Sequence, residues 1–337
     1  MYCDFYSITD KSIMNDYVDA LIRQIRTYKS LETDTVYIGG GTPTVLGEKL
    51  LDITDAVNEC FVFAKNAEFT LEANPASADK ALFSELYKRG VNRLSLGAQS
   101  FVDSELKALG RIHCAHDIIN SVDMARCAGF KNISLDLMFA IPNQTIESLK
   151  YSIDCIKEIA PEHVSAYSLI VEEGTPFYNM ELNLPSEDTE RQMYYFIGEE
   201  LEKEGYYRYE ISNYAKKGFE SRHNTGYWTG KEYLGLGAGA HSYFNGSRFY
   251  NESDIAKYIA GKGIEEGKTK ISEKERSLEY FMLGLRMTEG VIYSGEFKDR
   301  VEPLIKKGLL EIKEGRLRLT KRGTDLANLV FMEFLND

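Results

Sequence analysis

The sequence is poor in the residues that staple folds or hold metals. Its five cysteines, Cys3, Cys60, Cys114, Cys127 and Cys155, are scattered and odd in number, which suits reduced thiols rather than a disulfide framework. It contains no Cys-x-x-Cys pair and no His-Glu-x-x-His segment, so no complete metal-binding motif is present. Basic residues are in deficit. Forty Lys and Arg stand against 52 Asp and Glu, a net charge of −12, which excludes general nucleic-acid binding. No apolar run approaches the ~18 residues of a membrane span. The first ten residues lack the basic start and apolar core of a secretory signal. These absences point to a soluble cytoplasmic protein. With 337 residues, 43% of them hydrophobic, the chain can bury one large core and a smaller one.

Short β-rich runs alternate with helical patterns over the first half. The runs are TVYIGG (35–40), AEFTLEANP (67–75), VNRLSLGAQS (91–100), NISLDLMFAIP (132–142) and HVSAYSLIV (163–171). Helices are expected over 47–64, 78–89, 114–129 and 145–159. A period of about 25–35 residues is that of a βα unit, and repeated units imply a parallel sheet. Gly39 to Thr42, Glu72, Gln99 and Asp136 all fall near the carboxyl ends of their strands. Four successive strands contributing polar ends favour a barrel, or part of one, over an open sheet with one switch point.

Beyond about residue 175 the pattern changes. A helix is expected over 187–204, then YYRYEISNYA (206–215) and a glycine- and aromatic-rich stretch at 221–244. From Ser272 a separate helical unit ends in two short strands around Glu314-Gly315, resembling a winged helix. Its last 37 residues hold seven Lys and Arg and six Asp and Glu, which is no nucleic-acid footprint. The blocks divide as 1–175, 176–250 and 251–337.

GGGTPT (39–44) follows a strand and precedes a helix. It is neither G-x-G-x-x-G nor a P-loop, and by itself it reads as a tight turn. Glu72, Gln99, Arg111 and Asp136 could each be an ordinary surface or capping group. Together they make a ring of carboxylate, amide and guanidinium that suits a zwitterionic, ribose-bearing ligand.

YCDF, GGGTPT, LEANP, RLSLGAQSF, LGRIH, SLDLMFAIPNQT, HVSAYSLIVEEGTPF and HNTGYW occur in this order. They resemble the blocks of a radical S-adenosylmethionine (SAM) protein. The subgroup is that of oxygen-independent coproporphyrinogen III oxidase and its HemW-type heme-chaperone relatives, and the resemblance covers nearly the whole chain. It implies an α/β fold: a partial (β/α)6 barrel lacking its first strand, plus a small winged-helix-like C-terminal domain. In this family a 4Fe–4S cluster is held by C-x-x-x-C-x-Y-C-D-F, whose third cysteine matches Cys3. The first two matching positions precede Met1, which fits an opening cut inside the motif, by truncation or in a degenerate paralogue. The expectation is a barrel with a gap or an exposed edge at the 35–40 strand. One thiolate cannot hold a cubane, so the chain as written is expected to be cluster-free.

The resemblance also implies a nucleotide site: Tyr2 near the adenine, Gly40, Gly41 and Thr42 at the methionyl end, and Glu72, Gln99, Arg111 and Asp136 around SAM or a neighbouring ligand. His223, in HNTGYW, becomes the first candidate heme ligand, followed by His241 and then by His113 and His116. For an arbitrary protein this motif would read as a buried, satisfied histidine in an aromatic core. Phe5 stands where the oxidase branch carries another cysteine, which tilts the reading toward a chaperone that binds heme and passes it to client hemoproteins. The alternatives are a radical enzyme of porphyrin biosynthesis that decarboxylates coproporphyrinogen III, and an inert barrel fragment. A homodimer is left open.

Overall fold

The computed structural model describes Tyr2, residues 11–77 and residues 79–335. Cys3 and Phe5, on which the cluster and branch readings rest, lie outside the described residues. The chain divides into two compact units: 1–207 with 212–220, and 208–211 with 221–337.

The first unit is built on a curled sheet. Its strands are β1 (Leu31–Ile38), β2 (Phe61–Ala73), β3 (Arg93–Gln99), β4 (Ile133–Phe139), β5 (His163–Ser168), β6 (Tyr207–Arg208) and β7 (Asn213–Ala215). The sheet order is β1-β2-β3-β4-β5-β7-β6. Strands β1 to β5 are parallel and each pairs with the next in sequence. Strand β7 runs antiparallel to β5, so the βα period stops there. Helices Lys49–Cys60, Lys80–Lys88, Ala115–Ala128 and Ile146–Ile159 make the connections, giving the curled half-barrel that the βα spacing predicts.

Burial follows position in the sheet. β3 and β4 are buried at six of seven positions each, as expected of parallel strands covered on both faces. β1 has no fully buried position, and among the described residues it is the edge beside β2, where an exposed edge was expected. Helix boundaries follow local chemistry. Asp79 accepts from Leu82 N–H at 2.8 Å to start one helix, and Thr145 with Ser148 forms a capping box for another. One expected boundary was wrong. The helix set at 47–64 ends at Cys60, and Phe61-Val62-Phe63 opens β2 instead. These β-formers pair with Leu31, Glu32 and Thr33 of β1 before the register slips.

Compactness cuts the chain differently from the sequence blocks. Helix Glu187–Lys203 packs on helix Ile146–Ile159 and on β4 and β5, so it belongs to the first unit although it lies beyond residue 175.

The second unit holds two small antiparallel sheets. β8 (His241–Phe244), β9 (Ser247–Tyr250) and β10 (Glu266–Lys270) form one; β11 (Val291–Ile292), β12 (Leu310–Lys313) and β13 (Arg316–Leu319) form the other, in the order β11-β13-β12. The β12–β13 hairpin turns through Glu314 (φ 52°) and Gly315 (φ 74°), the two positive φ values of a tight hairpin turn. Helices Glu273–Gly284 and Lys298–Lys306 pack with this wing around Phe281, Val291, Leu304, Leu317 and Phe334. Phe281 stacks on Phe334 at 5.5 Å and meets Phe297 edge-on at 5.4 Å, geometries that aromatic quadrupoles favour.

Candidate functional site

Period-two alternation shapes the first site. Leu71, Leu94, Leu96, Leu135, Val164 and Ala166 are buried on one face of their strands. Residues of the other parity are polar: Thr70 and Glu72, Arg93 and Ser95, Ser134 and Asp136, His163 and Ser165. Register aligns them across the sheet, with Glu72 opposite Ser95 and Asp136 opposite Ser165. The curled sheet therefore carries a polar inner face, and the expected residues crown it.

Glu72 organises the glycine loop. Its Oε1 accepts from the Tyr37 hydroxyl at 2.6 Å, and its Oε2 accepts from Gly40 N–H at 3.2 Å. A Cβ on Gly39 would lie 2.6 Å from Tyr37 Cε1 and 3.0 Å from the Glu72 carboxylate. Gly40 (φ 85°) and Gly41 (φ 57°) are left-handed, with open space before them, so a ligand can approach this backbone closely. Burial, then the Glu72 and Asp136 carboxylates, raises the Tyr37 phenol well above its ordinary value, so it remains a donor.

Asp136 is held by Ser95 Oγ at 3.2 Å and by Ser165. Burial, then the Glu72 charge, pushes it up to about 6. Gln99 has φ 66° where β3 slips register against β4, and its Oε1 accepts from the Tyr167 hydroxyl at 2.9 Å. Arg111 Nη2 donates to Gly97 O at 2.9 Å, while its buried Nε has no hydrogen-bond partner among the described residues. The Tyr2 ring lies tilted against Phe177, centroids 6.2 Å apart, and packs with Tyr167 on the Leu109, Met138, Ile141 and Leu169 cluster. The structure thus groups Gly40, Gly41, Glu72 and Asp136, and gathers Tyr2, Gln99 and Arg111 around Tyr167, whose phenol the Asp136 charge also acts on. Thr42 precedes the short turn Pro43–Leu46 and has no side-chain capping bond there.

The sequence reading missed Tyr37, Ser95, Gly97, Ser165 and Tyr167. Parity was the available signal, since each lies on the polar face of its strand. Two of the weaker histidine candidates take ordinary structural places. His113 is buried with Nε2 at 3.2 Å from Ala98 O, and burial lowers its pKa. His241 is exposed beside Tyr250, ring centroids 5.6 Å apart.

HNTGYW forms the short helix Arg222–Trp228 of the second unit, capped by Ser221. His223 Nε2 lies 2.9 Å from Tyr227 Oη, and the rings meet edge-on at 4.9 Å. Tyr227 meets Tyr233 edge-on at 4.6 Å. Burial, then Tyr233, pushes the Tyr227 phenol up to about 12. The Arg286 guanidinium sits 4.4 Å from the Trp228 ring centre, a cation–π geometry.

Residues 1–156 match the radical SAM superfamily, and residues 271–326 match the HemN C-terminal domain. Among solved structures, coproporphyrinogen III oxidase (HemN) from Escherichia coli, a radical SAM enzyme, superposes with a TM-score of 0.83 at 20% identity, covering 99% of this chain and 86% of that one. The family match over residues 1–156, on a fold like that of HemN, therefore defines a radical SAM-type protein.

Two curated relatives narrow this. Heme chaperone HemW of Bacillus subtilis is 39% identical over 100% of this chain and 96% of its own length. HemW of Lactococcus lactis is 37% identical over 100% and 94%. The chain belongs to the HemW family.

Proposed function

We propose that this protein binds heme and delivers it to client hemoproteins in the cytoplasm. The observation that carries the reading is the His223–Tyr227 pair. A metal-ligating histidine is usually oriented by a hydrogen bond that its other ring N–H donates, and the Tyr227 hydroxyl oxygen, 2.9 Å from Nε2, can accept such a bond. Its full-length relatives are named as heme chaperones.

The barrel face is the proposed SAM site. The open glycine backbone at Gly40 and Gly41, the Arg111 Nε without a partner among the described residues and the carboxylates of Glu72 and Asp136 fit a zwitterionic ligand with a ribose. Gly40, Gly41 and Thr42 would hold its methionyl end, and Gln99, Arg111 and Tyr2 the rest. In radical SAM proteins this nucleotide, with a cluster, supplies one-electron chemistry. The described residues do not fit a 4Fe–4S cluster: they contain no group of three His, Cys, Asp or Glu side chains able to hold a metal ion, and Cys3 lies outside them. The chaperone reading needs no radical step.

Titration with ferric heme tests the reading. A saturable Soret shift that changes in His223→Ala supports it, whereas no binding, or a spectrum unaltered by that substitution, removes His223 as ligand.

A further inference from the structure

Glu105 is 5% exposed, yet among the described residues its carboxylate meets three neutral donors and no cation. Its Oε2 accepts from Ser100 Oγ at 2.6 Å and from Gln144 Nε2 at 3.1 Å, and its Oε1 accepts from Ser148 Oγ at 2.5 Å. Ser152 Oγ extends the network, 3.4 Å from Ser100 Oγ and accepting from Phe101 N–H at 3.1 Å. A carboxylate withdrawn from water without a counter-charge is costly, and packing alone is served as well by an apolar side chain.

The network joins three stretches of chain that carry residues of the barrel mouth. Ser100 directly follows Gln99, which ends β3 with a φ of 66°. Glu105 lies on the short helix Asp103–Ala108, and Arg111 leaves that helix with its N–H donating to Leu106 O at 2.9 Å. Gln144 and Ser148 lie on the loop and helix that follow β4, the strand of Asp136. Gln144 Oε1 also accepts from Ile141 N–H at 3.3 Å, and Ile141 belongs to the cluster on which Tyr2 packs.

We propose that Glu105 is a positioning residue of the nucleotide site. Its hydrogen bonds reach none of the ligand-facing side chains. They fix the turns from which Gln99 and Arg111 project, so that amide and guanidinium are ordered before the ligand arrives. Groups ordered beforehand lose less freedom on binding, which raises affinity without a new contact. This rests on the reading of the barrel face as the SAM site and adds the group that preorganises that face.

The test uses the 337-residue chain, with SAM titrated by calorimetry and thermal melts run in parallel. Glu105→Leu removes the acceptor, and SAM affinity is expected to fall about tenfold. Glu105→Gln keeps one carbonyl acceptor and should lose about threefold; it carries the test if the leucine variant does not fold. Ile153→Val, a buried change on helix Ile146–Ile159, should lower the melting temperature and leave affinity within about twofold. A residue acting through Gln99 and Arg111 must also be non-additive with them. In a Gln99→Ala/Arg111→Lys background, Glu105→Gln should therefore change SAM affinity by less than about 1.5-fold. Glu105 variants that melt lower but bind SAM as the unaltered chain does, or an undiminished loss in the double background, overturn the positioning role and leave the nucleotide reading standing. No SAM binding by the unaltered chain removes both.

Discussion

His223 Nε2 and Tyr227 Oη lie 2.9 Å apart across one turn of a seven-residue helix. A helix places residues i and i+4 on one face, so the HNTGYW spacing itself creates the pair.

Tyr227→Phe keeps the ring and removes the hydroxyl. If Tyr227 orients the imidazole, ferric-heme affinity should fall roughly tenfold, the usual cost of losing such a partner. Metal-free protoporphyrin affinity should stay within about twofold. Parallel absorbance and fluorescence titrations check this, and equal losses for both ligands would assign Tyr227 to ring packing alone.

Asp136 should make folding stability depend on pH. Its carboxyl lies near 3.8 in the unfolded chain and at about 6 in the fold. A raised folded value favours the protonated form, so this stabilisation is full below pH ~4, falls as pH rises to ~6 and is absent above. Asp136→Asn should flatten that window and raise stability at pH 7 by up to about 3 kcal/mol, less what the Ser95 and Ser165 bonds lose. Thermal melts from pH 4 to 8 decide; a variant that melts lower at every pH would contradict it.

Gly97 separates site from fold. A Cβ there would lie 2.9 Å from Arg111 Nη2 and 3.2 Å from Gln99 Nε2. Both are ends of flexible side chains, so Gly97→Ala should cost about 1 kcal/mol or less in stability. It should weaken SAM binding roughly tenfold, equivalent to about 1.4 kcal/mol. Calorimetry of the nucleotide against the melting temperature separates the two effects. Unchanged nucleotide affinity would detach Arg111 and Gln99 from the site.

Gly290 should be intolerant for the opposite reason. It has φ 70°, and a Cβ would lie 2.1 Å from the backbone oxygen of Leu317. Backbone cannot swing away as a side chain can, so Gly290→Ala should destabilise the second unit by about 2 kcal/mol or more. Denaturant unfolding reads this directly. A loss below about 0.5 kcal/mol would mean that β11 and β13 separate easily.

Much of this was legible in the sequence, and the exceptions are instructive. TVYIGG, RLSLGAQS and SLDLMFAIP became strands because alternating aliphatic and more polar residues can satisfy a sheet with one apolar and one polar face. The glycine loop was visible, but not its reason: Gly39 is small because Tyr37 and Glu72 occupy the space. Phe61–Ala64 was taken as helix because its pairing partner, Leu31–Thr33, lies 30 residues away.

The sheet order of β1 to β5 repeats their order along the chain. Each strand leaving the ribosome meets an edge already formed by its predecessor, so no early strand must wait for a distant partner. The first unit can therefore assemble stepwise during synthesis, one βα hairpin-length at a time, and only the short antiparallel return of Asn213–Ala215 must come last. A nascent-chain force profile should rise in steps of about 30 residues, the βα repeat length, and a single late rise would show that the sheet forms all at once.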